Sequence, residues 1–130
     1  MSALREHESI RVLVIAEERL VGASLVALIT SWEGFQVVGE AASKDEAVKQ
    51  LCRVGPDVVL LSLAGSDEFD SKIVADVAAT CGSARLLVLT VDCNEKFRSH
   101  VVRLGTCVVL KNPVPLELQR TIQSLVLKSQ

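Results

Sequence analysis

Ser62 is the polar residue at the position where an α/β protein usually places its chemistry. It lies near the end of residues 56–63, an apolar run that a Gly55-Pro56 break opens and Ala64-Gly65 closes. Such a run is typical of a strand buried on both faces of a parallel sheet. In open α/β sheets, ligands bind outside the carboxyl ends of the strands. The function therefore depends on what Ser62 and its neighbours can do.

The other residue types that commonly bind metals are scattered along the chain. The four cysteines and two histidines stand singly, without the spacing of a zinc site: Cys52, Cys81, Cys93, Cys107, His7 and His100. We expect the cysteines to be buried or half-buried reduced thiols of a cytoplasmic protein. We expect neither a metal nor a cofactor.

Length and composition indicate one domain with an aliphatic core. The chain has 130 residues, of which 49% are hydrophobic but only 3% aromatic. A net charge of -2 and a pI near 5.7 do not indicate the excess of basic residues that binds nucleic acid or an anionic membrane. No apolar run approaches the roughly 20 residues that span a bilayer. We expect residues 1–9 to be a flexible N-terminal tail without a signal peptide, and residues 10–128 to be the folded domain.

Five strands are predicted to alternate with five helices. The strands are predicted at 10–15, 35–42, 56–63, 85–90 and 106–110. The first helix follows residues 16–19 and extends to Trp32, the second is at 44–54 and the third is at about 69–81. The fourth is capped by Asp92 or Asn94 and extends to Leu104, and the last begins at Pro115. Short connections and strict alternation favour a doubly wound α/β fold: a five-stranded parallel sheet in the order 2-1-3-4-5, covered by helices on both sides in a flavodoxin-like sandwich.

Helical periodicity gives each helix an apolar inner face. In the second helix, Ser43 and Glu46 have the spacing of a capping box. The predicted inner faces are Val21, Leu25, Leu28 and Trp32 in the first helix; Ala47, Val48, Leu51 and Cys52 in the second; Ile73, Val77 and Thr80 or Cys81 in the third; Phe97, Val101 and Leu104 in the fourth; and Leu118, Ile122 and Leu125 in the last.

The turn after the first strand disfavours a nucleotide site. It carries neither a Gly-x-Gly-x-x-Gly pattern nor a Walker loop. Glu17 and Glu18 would also repel a phosphate placed at the start of the first helix.

Four fragments in register resemble a response-regulator receiver domain, most closely the subfamily with a helix-turn-helix output domain. They are residues 37–42 (VVGEAA), 56–61 (PDVVLL), 87–90 (LVLT) and 109–112 (VLKN), and the resemblance extends over about residues 10–127. It implies the receiver sandwich. It also implies a phosphorylation site of two acidic residues that hold Mg²⁺, an acceptor Asp, a hydroxyl residue and a Lys.

When the positions of that site are transferred to this chain, most of the required residue types are missing. The acidic pair falls on Ala16 and Glu17, the acceptor on Ser62, the hydroxyl on Thr90 and the cation on Lys111. One carboxylate is too little charge to hold Mg²⁺, and an unactivated serine is a poor nucleophile. The resemblance therefore predicts a vestigial pocket without catalytic residues or a metal. The chain is then a phosphorylation-independent pseudo-receiver, a protein–protein interaction module in two-component (phosphorelay) signalling or transcription regulation, and not an enzyme.

Two other functions stay open. The phosphoacceptor could have moved to Asp67 or Asp70, which would leave an active receiver. More remotely, Ser62 could be the nucleophile of a small α/β hydrolase, although no histidine is paired with it. Within the pseudo-receiver, Ser62 is expected to make a local hydrogen bond, and Lys111 either pairs with Glu17 or is solvated.

The expected partner is another signalling protein or the chain's own output domain, which would have been cut away after Gln130. Receivers bind partners through the surface of their fourth and fifth helices and fifth strand. The aromatic switch residue of that surface is Val108 here. Apolar residues left over from the inner faces are expected to form a constitutive docking patch, with homodimerisation as one use of it: Val102, Val108, Leu116 and Leu127.

Overall fold

A computed structural model of the chain describes residues 9–63, 67–90, 99, 107–111 and 113–128, without the side chains of 67–72, 107–111 and 128. The strands are β1 (Ile10–Ala16), β2 (Phe35–Ala41), β3 (Val58–Leu63), β4 (Arg85–Thr90) and β5 (Cys107–Lys111). The helices are α1 (Arg19–Thr30), α2 (Lys44–Val54), α3 (Asp67–Thr80) and α4 (Pro115–Lys128).

The described strands form one parallel sheet in the order β2-β1-β3-β4-β5, as the sequence predicts. β3 is the middle strand, paired with β1 on one side and β4 on the other. Each strand begins or ends within two residues of its predicted position, since the apolar runs are bounded by turn residues.

Two apolar layers cover the sheet, which makes the fold doubly wound. Alternate residues of each strand point to opposite faces. One layer joins the sheet to α2 and α3 through residues such as Leu61, Leu51 and Val77. The other joins it to α1 and α4 through residues such as Leu60 and Ile122. The predicted inner residues of α4 are confirmed, because Leu118, Ile122 and Leu125 are all buried.

Local sequence signals set the helix ends. The Ser43 hydroxyl accepts a hydrogen bond from the Glu46 backbone N–H at 3.2 Å, as the capping box predicts. The Glu46 carboxylate, however, accepts from the backbone N–H of Ala42, one residue before the expected Ser43. Gly55 ends α2 in the left-handed conformation, with φ of 53°. Pro115 is the first residue of α4, where its missing N–H costs nothing.

Two predicted inner faces are partly wrong. Cys52 is exposed, because it lies too far around α2 from the buried pair Ala47 and Leu51. In α1 the fully buried residues are Gly22 and Ile29. The predicted residues, Val21, Leu25, Leu28 and Trp32, are only half-buried, close to a quarter turn away on the helix surface.

Several predictions fall on residues that the structure does not describe. They are most of the N-terminal tail, the fourth predicted helix with Phe97, Val101 and Leu104, and Cys93. Nothing in the structure tests the division into a tail at 1–9 and a domain at 10–128. Among the described helices, none is long and apolar enough to cross a membrane.

We expect Leu60→Ala to lower the free energy of unfolding by about 2–5 kcal/mol, since it removes a fully buried side chain from the middle strand and leaves a cavity. Urea denaturation measures the loss. Leu20→Ala is the matched control, because Leu20 is 80% exposed, and it should change stability by less than about 0.5 kcal/mol. Equal effects of the two substitutions would contradict this core.

Candidate functional site

The carboxyl ends of four strands bring the predicted site positions together. Ala16 at the end of β1 pairs in register with Ser62 of β3, which pairs in turn with Leu89 of β4. One step further, Thr90 pairs with Lys111 of β5. The sheet therefore places the backbones of Ala16, Ser62, Thr90 and Lys111 at one edge, as a receiver domain would.

The end of β1 is packed rather than open. The Ala16 side chain is only 3% exposed. Helix α1 approaches it closely at Gly22, where an added Cβ would lie 3.5 Å from the Ala16 methyl and 2.8 Å from a carboxylate oxygen of Glu40. Glu17, the next residue, is exposed. The position of the first acidic residue of a receiver thus holds a methyl group covered by a helix.

Ser62 is half-buried on the face of the sheet that α1 and α4 cover. Its hydroxyl has no hydrogen-bond partner within the described part of the chain, so the local hydrogen bond expected for it is not found there. Thr90 is buried, with 4% exposure, and takes part in a polar interaction of its own. The two hydroxyl residues of the predicted site therefore differ in their surroundings.

Beside Ser62 lies a cavity of about 200 Å³ between α1, the strand ends and the start of α4. We call it the Ser62 cavity. Its described lining is mainly aliphatic, and it consists of Val21, Leu25, Leu28, Ser62, Leu63, Leu89, Thr90, Pro113, Pro115 and Leu118. Two of the five predicted pocket residues, Ser62 and Thr90, are among these. The space is thus an apolar cavity with two hydroxyl groups rather than an acidic pocket.

Sequence reasoning missed most of this lining. Val21, Leu25 and Leu28 were predicted as core residues, yet they form the α1 wall of the cavity. The available signal was that α1 carries more apolar residues than one buried face needs. Nothing in the sequence indicated that Pro113 and Leu118 would close the opposite side.

Some predicted site features lie outside the described residues. The side chains of Lys111, Asp67 and Asp70 are not described, so pairing of Lys111 with Glu17 and a relocated phosphoacceptor stay predictions. The same holds for Val102 and the side chain of Val108. Of the predicted docking patch, Leu116 is 54% exposed and Leu127 is 69% exposed.

The described residues at the predicted positions do not fit the Mg²⁺ of a working receiver. Mg²⁺ requires oxygen ligands, usually carboxylates. Ala16 offers none, Ser62 offers one neutral hydroxyl, and Glu17 alone offers a carboxylate. No group of three or more His, Cys, Asp or Glu side chains in the described ranges could hold a metal ion.

Known proteins with similar sequences are response regulators. No family model matches the sequence. The response regulator UvrY of Escherichia coli is 26% identical over 117 residues, which are 89% of this chain and 54% of UvrY. The transcriptional regulatory protein CitB of Klebsiella pneumoniae is 28% identical over 117 residues, 89% of this chain and 50% of CitB. The chain spans about half the length of these relatives.

The fold is that of a receiver domain. A similar solved structure is the isolated receiver domain of RcsB from Salmonella enterica serovar Typhimurium, determined in the presence of the phosphomimetic BeF3-. The two structures superpose with a TM-score of 0.76 at 18% sequence identity. The superposition covers 90% of this chain and 88% of that domain. The predicted resemblance to a response-regulator receiver domain is therefore confirmed, by fold and by sequence relatives.

Two serine-to-alanine substitutions compare the Ser43 hydroxyl, which accepts a hydrogen bond, with the Ser62 hydroxyl, which has no described partner. Ser43→Ala removes the cap of α2 and should lower the free energy of unfolding by about 1 kcal/mol. Ser62→Ala removes a hydroxyl without a described partner and should change it by less than about 0.5 kcal/mol. Denaturant titration of both variants measures the difference. A loss for Ser62→Ala as large as that for Ser43→Ala would show that Ser62 does have a partner.

Proposed function

We propose that this chain is a phosphorylation-independent pseudo-receiver. It acts as a protein–protein interaction module in two-component signalling or transcription regulation in the cytoplasm, and it has no enzymatic activity of its own. The receiver fold and the response-regulator relatives define the signalling class. The further step, from receiver to pseudo-receiver, depends on the chemistry at the carboxyl ends of β1 and β3.

One observation carries this step. Ser62, at the acceptor position, and Ala16, at the first metal position, are paired neighbours in the sheet, and both lack a carboxylate. Phosphoryl transfer depends on positioning and on stabilising charge with a metal ion. With one exposed carboxylate, Glu17, the site has too little negative charge to offset the dehydration of Mg²⁺. Without the metal, none of the described side chains beside the unactivated Ser62 hydroxyl carries a positive charge to stabilise an incoming phosphoryl group.

The aliphatic surroundings of Ser62 support the same conclusion. A dianionic phosphoryl group on Ser62 would enter a cavity lined mainly by leucine, valine and proline side chains. Burying an unpaired charge against such a lining costs far more than burying a neutral hydroxyl. The cavity therefore favours an unmodified serine.

The proposed module would act by docking to a partner, and exposed apolar residues of α4 offer a surface for it. The outward side of α4 carries two exposed leucines, Leu116 and Leu127, eleven residues apart. Eleven residues are close to three helical turns, so both lie on one face, about 16 Å apart. That face is opposite the buried Leu118, Ile122 and Leu125. We call Leu116 and Leu127 the α4 patch and propose it as the contact for a signalling partner, an output domain or a second copy.

A phosphodonor experiment tests the pseudo-receiver directly. After incubation with acetyl phosphate and Mg²⁺, we expect intact-mass spectrometry to show no acyl phosphate. We also expect beryllofluoride to leave the NMR spectrum unchanged. The reason for both results is that position 62 has no acceptor carboxylate. A mass gain lost in Asp67→Asn or Asp70→Asn would instead establish a relocated acceptor and overturn the proposal.

A matched pair of variants provides the positive control for that experiment. The Ala16→Asp background gives both variants a second metal carboxylate beside Glu17. In that background Ser62→Asp adds the acceptor, which is also a third carboxylate, whereas the nearly isosteric Ser62→Asn adds neither. We expect Mg²⁺ binding and labelling by acetyl phosphate to appear only in the Asp variant. If the Asn variant were labelled equally, the label would lie elsewhere on the chain.

Sedimentation over a concentration series tests the homodimer form of docking. If two copies meet through the α4 patch, the weight-average mass should rise with concentration, and Leu116→Glu with Leu127→Glu should abolish the rise by burying like charges opposite each other. Leu20→Glu, at a still more exposed leucine on α1, should leave it unchanged. A chain that stays monomeric throughout would contradict homodimerisation through the α4 patch.

A further inference from the structure

The size of the Ser62 cavity suits a small organic molecule. Its volume is about 200 Å³. An engineered apolar cavity of about 150 Å³ in another protein takes up benzene, so this space suits a ligand of about eight non-hydrogen atoms. A drug-sized molecule or a nucleotide would need several hundred Å³.

The lining of the cavity selects an uncharged ligand. Eight of its ten described lining residues are leucine, valine or proline, and none of the ten carries a charge. A charged ligand would lose its hydration without gaining a counter-charge from these residues, which is strongly unfavourable. An aromatic ring or a short branched hydrocarbon instead exchanges water for aliphatic contacts.

Ser62 supplies a point of attachment within this apolar space. Its hydroxyl can both donate and accept a hydrogen bond, and among the described residues it has no partner. Small-molecule sites commonly combine an apolar lining with a few polar groups that fix the orientation of the ligand. A ligand hydroxyl or carbonyl would give Ser62 the partner that the described residues do not supply.

We propose that the Ser62 cavity binds a small uncharged amphipathic molecule, an aromatic or short branched compound with one hydroxyl or carbonyl group. The polar group of the ligand forms a hydrogen bond with the Ser62 hydroxyl. The apolar part lies between Leu25 of α1 and Leu118 of α4. This binding does not depend on docking at the α4 patch, because the patch is on the opposite side of α4 from Leu118.

The test uses three probe ligands on the full chain: p-cresol, toluene and p-toluate. Methyl-region NMR follows the signals of Val21, Leu25 and Leu118, which line the cavity. We expect saturable one-site shifts with p-cresol. Toluene, which lacks the hydroxyl, should bind roughly 3- to 10-fold more weakly, the value of one net hydrogen bond. The anionic p-toluate should produce none. No saturable shift with p-cresol, or equal binding of p-toluate, overturns the proposal.

Variants locate the ligand within the protein. Leu25→Phe fills the cavity and should weaken p-cresol binding by about 10-fold or more, whereas Leu20→Phe adds the same ring at an exposed position of α1 and should have no effect. Unchanged binding by a folded Leu25→Phe variant overturns the proposal.

Ser62→Ala tests the hydrogen bond without any risk of overpacking. It should weaken p-cresol binding roughly 3- to 10-fold and leave toluene binding within about two-fold of the wild type. An equal loss of both ligands, or no loss of either, would overturn the assignment of Ser62 as the polar contact.

Discussion

The middle strand β3 is paired on both edges and packed on both faces, and the rest of the fold depends on this double burial. Its odd-numbered residues, such as Leu61, face α2 and α3, and its even-numbered residues, such as Leu60, face α1 and α4. A slip of one residue would exchange the two faces of the whole strand, so its register against β1 and β4 is firmly set. Ser62 faces α1 and α4 for this reason.

That constraint gives the serine an unusual setting for a receiver fold. The residue at the end of a receiver's middle strand normally lies among charged groups. Here the paired neighbour of Ser62 is the buried methyl of Ala16, and the cavity beside it is lined mainly by aliphatic side chains from α1 and α4. At positions 16 and 62, where a receiver has carboxylates, this chain has a methyl group and a hydroxyl group. The described surroundings of Ser62 suit packing or an apolar ligand better than an anion.

The second consequence concerns α4, which has different roles on its two sides. Leu118, Ile122 and Leu125 hold it to the sheet, and Leu118 also lines the Ser62 cavity. The opposite side carries the α4 patch. One helix thus borders the Ser62 cavity on one side and carries the surface proposed for docking on the other.

The sequence predicted strands and helix ends well, for physical reasons that are local. Short apolar runs bounded by glycine and proline mark buried parallel strands. Ser43, Gly55 and Pro115 mark helix ends through bonds and dihedral angles confined to a few residues. Helix faces were predicted less well, since periodicity identifies an apolar sector but not the part of it that meets the sheet. The prediction was wrong for Cys52, which is exposed. The predicted face of α1 was partly right, because Leu25, Leu28 and Trp32 pack against the core but are only half-buried, while Gly22 and Ile29 are fully buried.

By itself, the sequence determined the receiver fold and the absence of carboxylates at positions 16 and 62, because strand patterns and side-chain chemistry are properties of the residues alone. Only the tertiary structure determined which side chains surround Ser62. Val21, Leu25 and Leu118 lie far apart in the sequence, and they meet there because α1 and α4 pack on the same face of the sheet. A cavity is the space left between packed elements, and no single segment of the chain encodes it.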